Sequence, residues 1–209
     1  MEQNSMNSAH YILNATGLAR AFNRIPLFTG LDITVKTGES FCVTGPNGSG
    51  KSTLLKILAG LLSPSAGSVT YTADAVIPRD EWPAHIGYTG PMVNPYDELT
   101  ARENIEFACR RESDPGRGHA LLDHFGLSRH GDKKLKHYSS GMKQRLKIII
   151  ALVNDAPVLI LDEPGTNLDD GGNDLLAAAL DEVRKQKIIL IATNDAREEQ
   201  LCGGGVRLG

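Results

Sequence analysis

At 209 residues the chain is long enough for one domain with a substantial core and room for an inserted subdomain. A formal net charge of -3 and a pI near 6.1 exclude a general electrostatic attraction to nucleic acid or to an anionic membrane. Cys42, Cys109 and Cys202 have no metal-site spacing and read as reduced thiols in a cytosolic setting, Cys42 as a buried one on an apolar strand. The opening residues lack the basic start and apolar stretch of a signal peptide. No apolar run approaches the roughly 20 residues that span a bilayer, so any membrane role is expected to run through a partner.

In chain order, residues 11–15 and 31–35 read as short, imperfectly alternating strands separated by turn-rich sequence. Residues 40–44 predict a further strand. It leads into Gly45-Pro46-Asn47-Gly48-Ser49-Gly50-Lys51-Ser52-Thr53, which fits the phosphate-loop pattern G-x-x-x-x-G-K-[ST]. Its glycines let the backbone wrap tightly, so that N–H groups face a bound polyphosphate. Lys51 brings positive charge to the β/γ-phosphates, and the Ser52 hydroxyl is placed for Mg²⁺. A glycine-rich turn with a chance lysine would look similar in isolation. Here the pattern lies between a strand and a mostly apolar helix over 54–62, with Pro64 as its stop. The chain is expected to bind a nucleoside triphosphate.

Residues 68–72 and a segment ending near Tyr88 read as strands. Thr100 with Glu103 predicts a capping box, and helical signals dominate 101–127 apart from a break at 113–118. Tyr138-Ser139-Ser140-Gly141-Met142-Lys143-Gln144-Arg145 then opens an apolar helix with small residues, whose N–H groups and hydroxyl suit an anion. Alone, Ser-Ser-Gly is equally a plain helix cap. Lys133, Lys134, Lys136, Lys143, Arg145 and Lys147 form either a basic patch for nucleic acid or, more commonly, a solvated helix face.

The continuous apolar runs 158–161 and 188–192, with helix-like sequence over 174–187 between them, predict a β-α-β unit in a doubly covered parallel sheet. The first run ends in Asp162-Glu163, at the carboxyl edge where such sheets bind ligands. Asp162 is placed to hold Mg²⁺, and Glu163 to orient and polarise the water that attacks a γ-phosphate. Adjacent acids can also simply cap a loop. Beside a phosphate loop the catalytic reading is the stronger.

In the order GPNGSGKST, YSSGMKQR, VLILDEP and Thr166-Asn167-Leu168-Asp169, these motifs resemble an ATP-binding-cassette nucleotide-binding domain over most of the chain. The resemblance implies an α/β fold: a P-loop NTPase core with a mostly parallel sheet and an antiparallel β subdomain at the N-terminal side. A helical subdomain is expected over about 91–140, inside a single ATP-binding domain spanning 1–209. It implies ATP and Mg²⁺ as ligands, and a second copy or paralogous ATP-binding subunit as a head-to-tail partner. It also implies an integral membrane permease, with this chain peripheral on the cytoplasmic face of the membrane and no nucleic acid as partner. In such pairs ATP is sandwiched between subunits, so Ser139 and Gly141 would contact the γ-phosphate in the partner's site. Asp169 would belong to the loop linking the two sites. Phe22 falls where the family stacks an aromatic on adenine, although a core phenylalanine would read the same. Met92, Val93 and Tyr96 are candidates for docking the permease, the alternative being packing within the helical subdomain.

Two positions depart from the family pattern. Pro91 stands where a glutamine would touch Mg²⁺ and the attacking water, and proline has neither an amide side chain nor an N–H. Asn194 stands where a histidine would act as a switch. Its amide can donate a hydrogen bond to a phosphate oxygen or to Glu163, but it carries no charge and shuttles no proton. Glu163, Lys51, Ser52 and Asp162 are retained, so hydrolysis is expected, slowed by the two losses. The expected function is the ATPase subunit of a transporter, export rather than import, with segments similar to the haem-exporter ATP-binding subunits of cytochrome c maturation. The alternative is a nucleotide-dependent switch that closes on ATP and hydrolyses little. A non-transport cassette protein is disfavoured, because the sequence has neither a sustained heptad tract nor a second phosphate loop.

Overall fold

The computed structural model describes residues 10–23, 25–110, 114 and 116–209. The chain begins with β1 (Ile12–Phe22), β2 (Ile25–Lys36) and β3 (Ser40–Thr44), followed by α1 (Lys51–Leu58). Next come β4 (Ala66–Thr72), β5 (Val76–Ile77), α2 (Trp82–His85) and β6 (Ile86–Thr89). Three helices follow, α3 (Ala101–Ala108), α4 (Arg117–His124) and α5 (Ser140–Leu152). The remainder is β7 (Val158–Asp162), α6 (Asp170–Val183), β8 (Ile188–Ala192), α7 (Ala196–Glu199) and β9 (Gly204–Arg207).

Two sheets organise these elements. An antiparallel sheet has the order β2-β1-β4-β5, and a parallel sheet the order β6-β7-β8-β3-β9. The α/β P-loop NTPase fold with its antiparallel sheet is therefore the one observed. All five residues of β7 and all five of β8 are buried. Side-chain alternation divides them between two cores. Val158, Ile160, Ile188 and Leu190 pack with α1 and the antiparallel sheet, through Leu54, Leu58, Leu13 and Phe28. Leu159, Leu161, Ile189 and Ile191 face the helical side, with Leu146, Leu152, Phe125 and Leu176. This is why both runs are apolar at every position.

Several local expectations are corrected. The two short strands expected near 11–15 and 31–35 are parts of one long hairpin, paired from Ile12↔Lys36 to Phe22↔Ile25. Gly17 (φ 58°) and Gly30 (φ 64°) adopt left-handed backbone, which lets the ladder pass through bulges instead of ending. Helix α1 stops at Leu58, short of 62, because Gly60 (φ 75°) turns the chain there, well before Pro64. Helix α6 starts four positions earlier than 174, at Asp170, with Asp169 as its N-cap. Helix α4 begins inside the expected break, and its buried Gly118 packs beside Ile105. Residues 113 and 115 of that break lie outside the described residues. The Thr100 capping box is present, with Glu103 N–H donating to Thr100 Oγ1 at 3.2 Å and Thr100 N–H to Glu103 Oε2 at 2.7 Å.

Candidate functional site

Strand β3 delivers the chain into a loop whose shape depends on glycine. Gly45 (φ 137°) lies so close to the Leu208 carbonyl that no side chain fits, and Gly50 (φ 102°) lies against Leu27. Gly50 is also the N-cap of α1 and makes no side-chain cap, which leaves the first N–H groups of the helix for an anion. The Ser49 hydroxyl is buried and has no hydrogen-bond partner among the described residues. Lys51 is 5% exposed and turns back over the loop, donating from Nζ to the carbonyls of Gly45 (2.9 Å) and Pro46 (3.3 Å). A polyphosphate in this cradle would compete with those two carbonyls for the ammonium.

Below the loop, the Ser52 hydroxyl donates to Asp162 Oδ1 at 2.9 Å. Asp162 is 1% exposed, and its Oδ2 has no hydrogen-bond partner among the described residues. Burial pushes its carboxyl above the usual range; the Ser52 hydrogen bond opposes this and the Glu163 charge adds to it. A hydroxyl and a carboxylate with a free oxygen are oxygen donors that suit Mg²⁺, and a polyphosphate in the adjacent cradle would add its own. The next residue, Glu163, takes a left-handed backbone (φ 51°) and lines two adjoining clefts. One contains Phe22, Asn47, Gly48, Lys51, Ser52 and Thr53. The other contains Asn47, Thr193, Asn194 and Glu198.

Phe22 is not a core residue: it is 49% exposed on the rim of the first cleft, with the Arg20 guanidinium 4.6 Å from its ring centre. Asn194 reaches the phosphate loop, donating from Nδ2 to Asn47 Oδ1 at 2.6 Å. The structure thus brings Phe22, the loop, Asp162, Glu163 and Asn194 together.

Ser139, Gly141 and Asp169 line neither cleft. Ser139 caps α5 by accepting from Met142 N–H at 3.2 Å, Gly141 lies beside the Asn167 carbonyl, and Asp169 accepts from Gly172 N–H at 2.8 Å. They form a second group on the helical side.

The family described as ABC transporter matches residues 28–166, well over half of the chain. The chain belongs to the ABC transporter family. It is 32% identical over 191 residues to a cytochrome c biogenesis ATP-binding export protein, CcmA 2, of Cupriavidus metallidurans, covering 89% of this chain and 90% of the relative. It is 36% identical over 181 residues to a Nod factor export ATP-binding protein I of Burkholderia lata, covering 83% of this chain and 60% of that protein. A solved dimeric structure of a bacterial ABC transporter cassette superposes with a TM-score of 0.82 at 25% identity, with 94% of each chain covered.

Within this ABC cassette, Pro91 is exposed just beyond β6 and follows the buried Gly90. A side chain on Gly90 would press on the Tyr88 hydroxyl and on Asp162. Burial, with the Asp162 charge adding to it, pushes the Tyr88 hydroxyl up to about 12. Met92 (74%) and Tyr96 (55%) are exposed, as is Phe107, whose ring meets Tyr96 edge-on at 5.1 Å. Packing within the helices therefore does not account for Met92, whereas Tyr96 packs on Phe107 of α3 and Val93 is half-buried.

The basic residues around α5 are largely ion-paired: Lys134 and Lys136 with Glu98, Lys143 with Asp97, and Arg145 with Asp169. Cys42 is buried as expected. Although remote from it in sequence, Cys202 lies beside Cys42, whose thiol donates to the Glu198 carbonyl at 3.8 Å.

Gln144 and Glu198 were not legible as site residues, yet both bond to the turn that carries Glu163. Gln144 Nε2 donates to the Pro164 carbonyl at 2.8 Å, and Glu198 Oε1 accepts from Gly165 N–H at 2.5 Å. The one available signal was the phase of their helices: each polar side chain sits at an inward position.

Proposed function

We propose that this chain is the ATP-binding and ATP-hydrolysing subunit of an export-type ABC transporter, a single ATP-binding domain with its 91–140 helices as an inserted subdomain. The observation that carries this reading is the Ser52–Asp162 pair beneath the phosphate loop, with Glu163 next in the chain and facing the same cleft. Lys51 and the loop N–H groups hold the β/γ-phosphates, and Phe22 offers its exposed ring to the adenine. Ser52 and Asp162 hold Mg²⁺, which supplies charge neutralisation at the phosphates when bound. Glu163 orients the attacking water and takes its proton; Asn194 steadies the γ-phosphate edge.

Ser139 and Gly141 act in the site of a second copy or paralogue, with Asp169 in the linking loop. Their place apart from the cleft, and the dimeric cassette of the same fold, support head-to-tail pairing. No helix among the described residues is long and apolar enough to cross a membrane. We assign that passage to a separate permease, which docks on the exposed Met92, Tyr96 and Phe107 and holds this chain at the cytoplasmic surface. The relatives' names support export. The name of the cytochrome c biogenesis export relative supports cytochrome c maturation, with haem as the proposed cargo.

The test is phosphate release by the purified pair with its permease, wild type against Glu163→Gln. Loss of a general base costs about 10²–10⁴-fold in rate. Wild-type release no faster than that of Glu163→Gln removes the hydrolytic reading and leaves the switch subunit. Two observations favour that second reading: Pro91 offers no amide, and Asn194 is engaged with Asn47. Capture of a membrane protein other than a haem exporter would remove the haem assignment alone.

A further inference from the structure

Glu163 holds a left-handed backbone that is strained for a non-glycine residue, so its surroundings must enforce it. Its own N–H donates to the Ala192 carbonyl at 2.8 Å, which joins the turn to the end of β8. Two buried polar side chains then bond to the turn. Gln144 in α5 donates from Nε2 to the carbonyls of Pro164 (2.8 Å) and Glu163 (3.4 Å). Glu198 in α7, 4% exposed, accepts from Gly165 N–H at 2.5 Å. The Thr193 hydroxyl lines the same cleft and favours the charged carboxylate, and its oxygen accepts from Asp195 N–H at 2.8 Å.

Glu198 therefore spans two turns, the one that presents Glu163 and the one that presents Asn194. Burial works against its charge, and the two donors work for it. A carboxylate so withdrawn from water is costly unless fully hydrogen-bonded, and a less demanding residue would serve if filling space were its only task.

We propose that Glu198 and Gln144 are positioning residues for hydrolysis. Glu198 sets the spacing between Glu163 and Asn194, and Gln144 ties the Glu163 turn to the helix that opens with Ser139 and Gly141. A shift of α5 is then passed to Glu163 through one side-chain amide. The role rests on the ATPase reading for its kinetic readout and not for its structural one.

The experiment uses the full chain with Glu198→Ala, Glu198→Gln and Gln144→Ala, and measures kcat, KM for ATP and backbone amide exchange. Misplacing a reacting group by about 1 Å costs up to about a hundredfold. Glu198→Ala and Gln144→Ala are each expected to lose about ten- to a hundredfold in kcat with KM within about twofold. Exchange should quicken over residues 163–168 and stay unchanged over 45–53. Glu198→Gln keeps an acceptor for Gly165 N–H and should restore much of the kcat.

Wild-type kcat together with unchanged exchange in both alanine variants overturns the proposal. So does a change in exchange spread over the whole chain, with kcat and KM altered together and no rescue by glutamine. If the wild-type chain does not hydrolyse ATP, the ATPase reading fails, and exchange over 163–168 alone decides whether the clamp exists.

Discussion

Asn194 Nδ2 donates to Asn47 Oδ1 at 2.6 Å, so the loop after β8 is fastened directly to the phosphate loop. An uncharged amide makes this bond, and it does not titrate. An imidazole at the same position could carry charge toward a γ-phosphate. Asn194→His is therefore expected to raise steady-state phosphate release several-fold. A fall in turnover would mean that the Asn194–Asn47 bond is itself required.

Phe22 stands half in solvent at the mouth of the cleft, with Arg20 over its ring. Base–aromatic stacking contributes about 1–3 kcal/mol, and each 1.4 kcal/mol is about tenfold in affinity. Phe22→Ala should raise the KM for ATP by about tenfold or more and leave kcat unchanged, since stacking is equal in ground and transition states. An ATP titration that shows unchanged affinity would place the base elsewhere.

The Asp162 carboxyl is held above its usual range, chiefly by burial. The native state therefore binds this proton more readily than the unfolded chain. The resulting penalty is absent below the ordinary aspartate pKa, grows as pH rises toward the folded value, and is complete above it. Asp162→Asn removes the penalty while still accepting from Ser52. Thermal melting without nucleotide should show this variant more stable than wild type at neutral pH, with no gain at low pH. Addition of Mg²⁺ and ATP should then stabilise the wild type by much more than the variant.

Thr100 closes a reciprocal capping box with Glu103 at the start of α3. Thr100→Ala should cost about 1 kcal/mol in urea unfolding, and Thr100→Ser should retain most of the stability. Equal stability of all three would show that α3 is held by its buried residues Ala101, Asn104 and Ile105 and not by its cap.

The parts of the fold that could be read from the sequence are those where one physical requirement acts alone. Strands β7 and β8 must be apolar on both faces, so their runs announce themselves. The phosphate loop and the paired acids were legible because their spacing is fixed by the ligand chemistry. The β1–β2 hairpin was not, because Gly17, Gly30 and Pro26 are turn residues by type and only pairing across the sheet shows them inside strands. Helix α6 hid its first turn behind Gly171 and Gly172, which favour turns in isolation but follow a capping Asp169. Gln144 and Glu198 were invisible for a related reason. Each lies in a stretch rich in charged residues that looks solvated until α5 and α7 are docked on the sheet.

Strand β9 bears on how the protein acquires its activity. It pairs in parallel with β3, Leu208 N–H donates to the Thr44 carbonyl at 2.8 Å, and the Leu208 carbonyl packs against Gly45. The neighbouring Ser40–Gly203 bond closes a sequence separation of 163 residues. Such distant pairing is slow to form, because loop-closure entropy must be overcome before any contact compensates it. During synthesis, residues 45–53 leave the ribosome long before the strand that braces them. A nascent chain thus carries the complete phosphate-loop sequence before the strand that fixes the loop's shape has arrived.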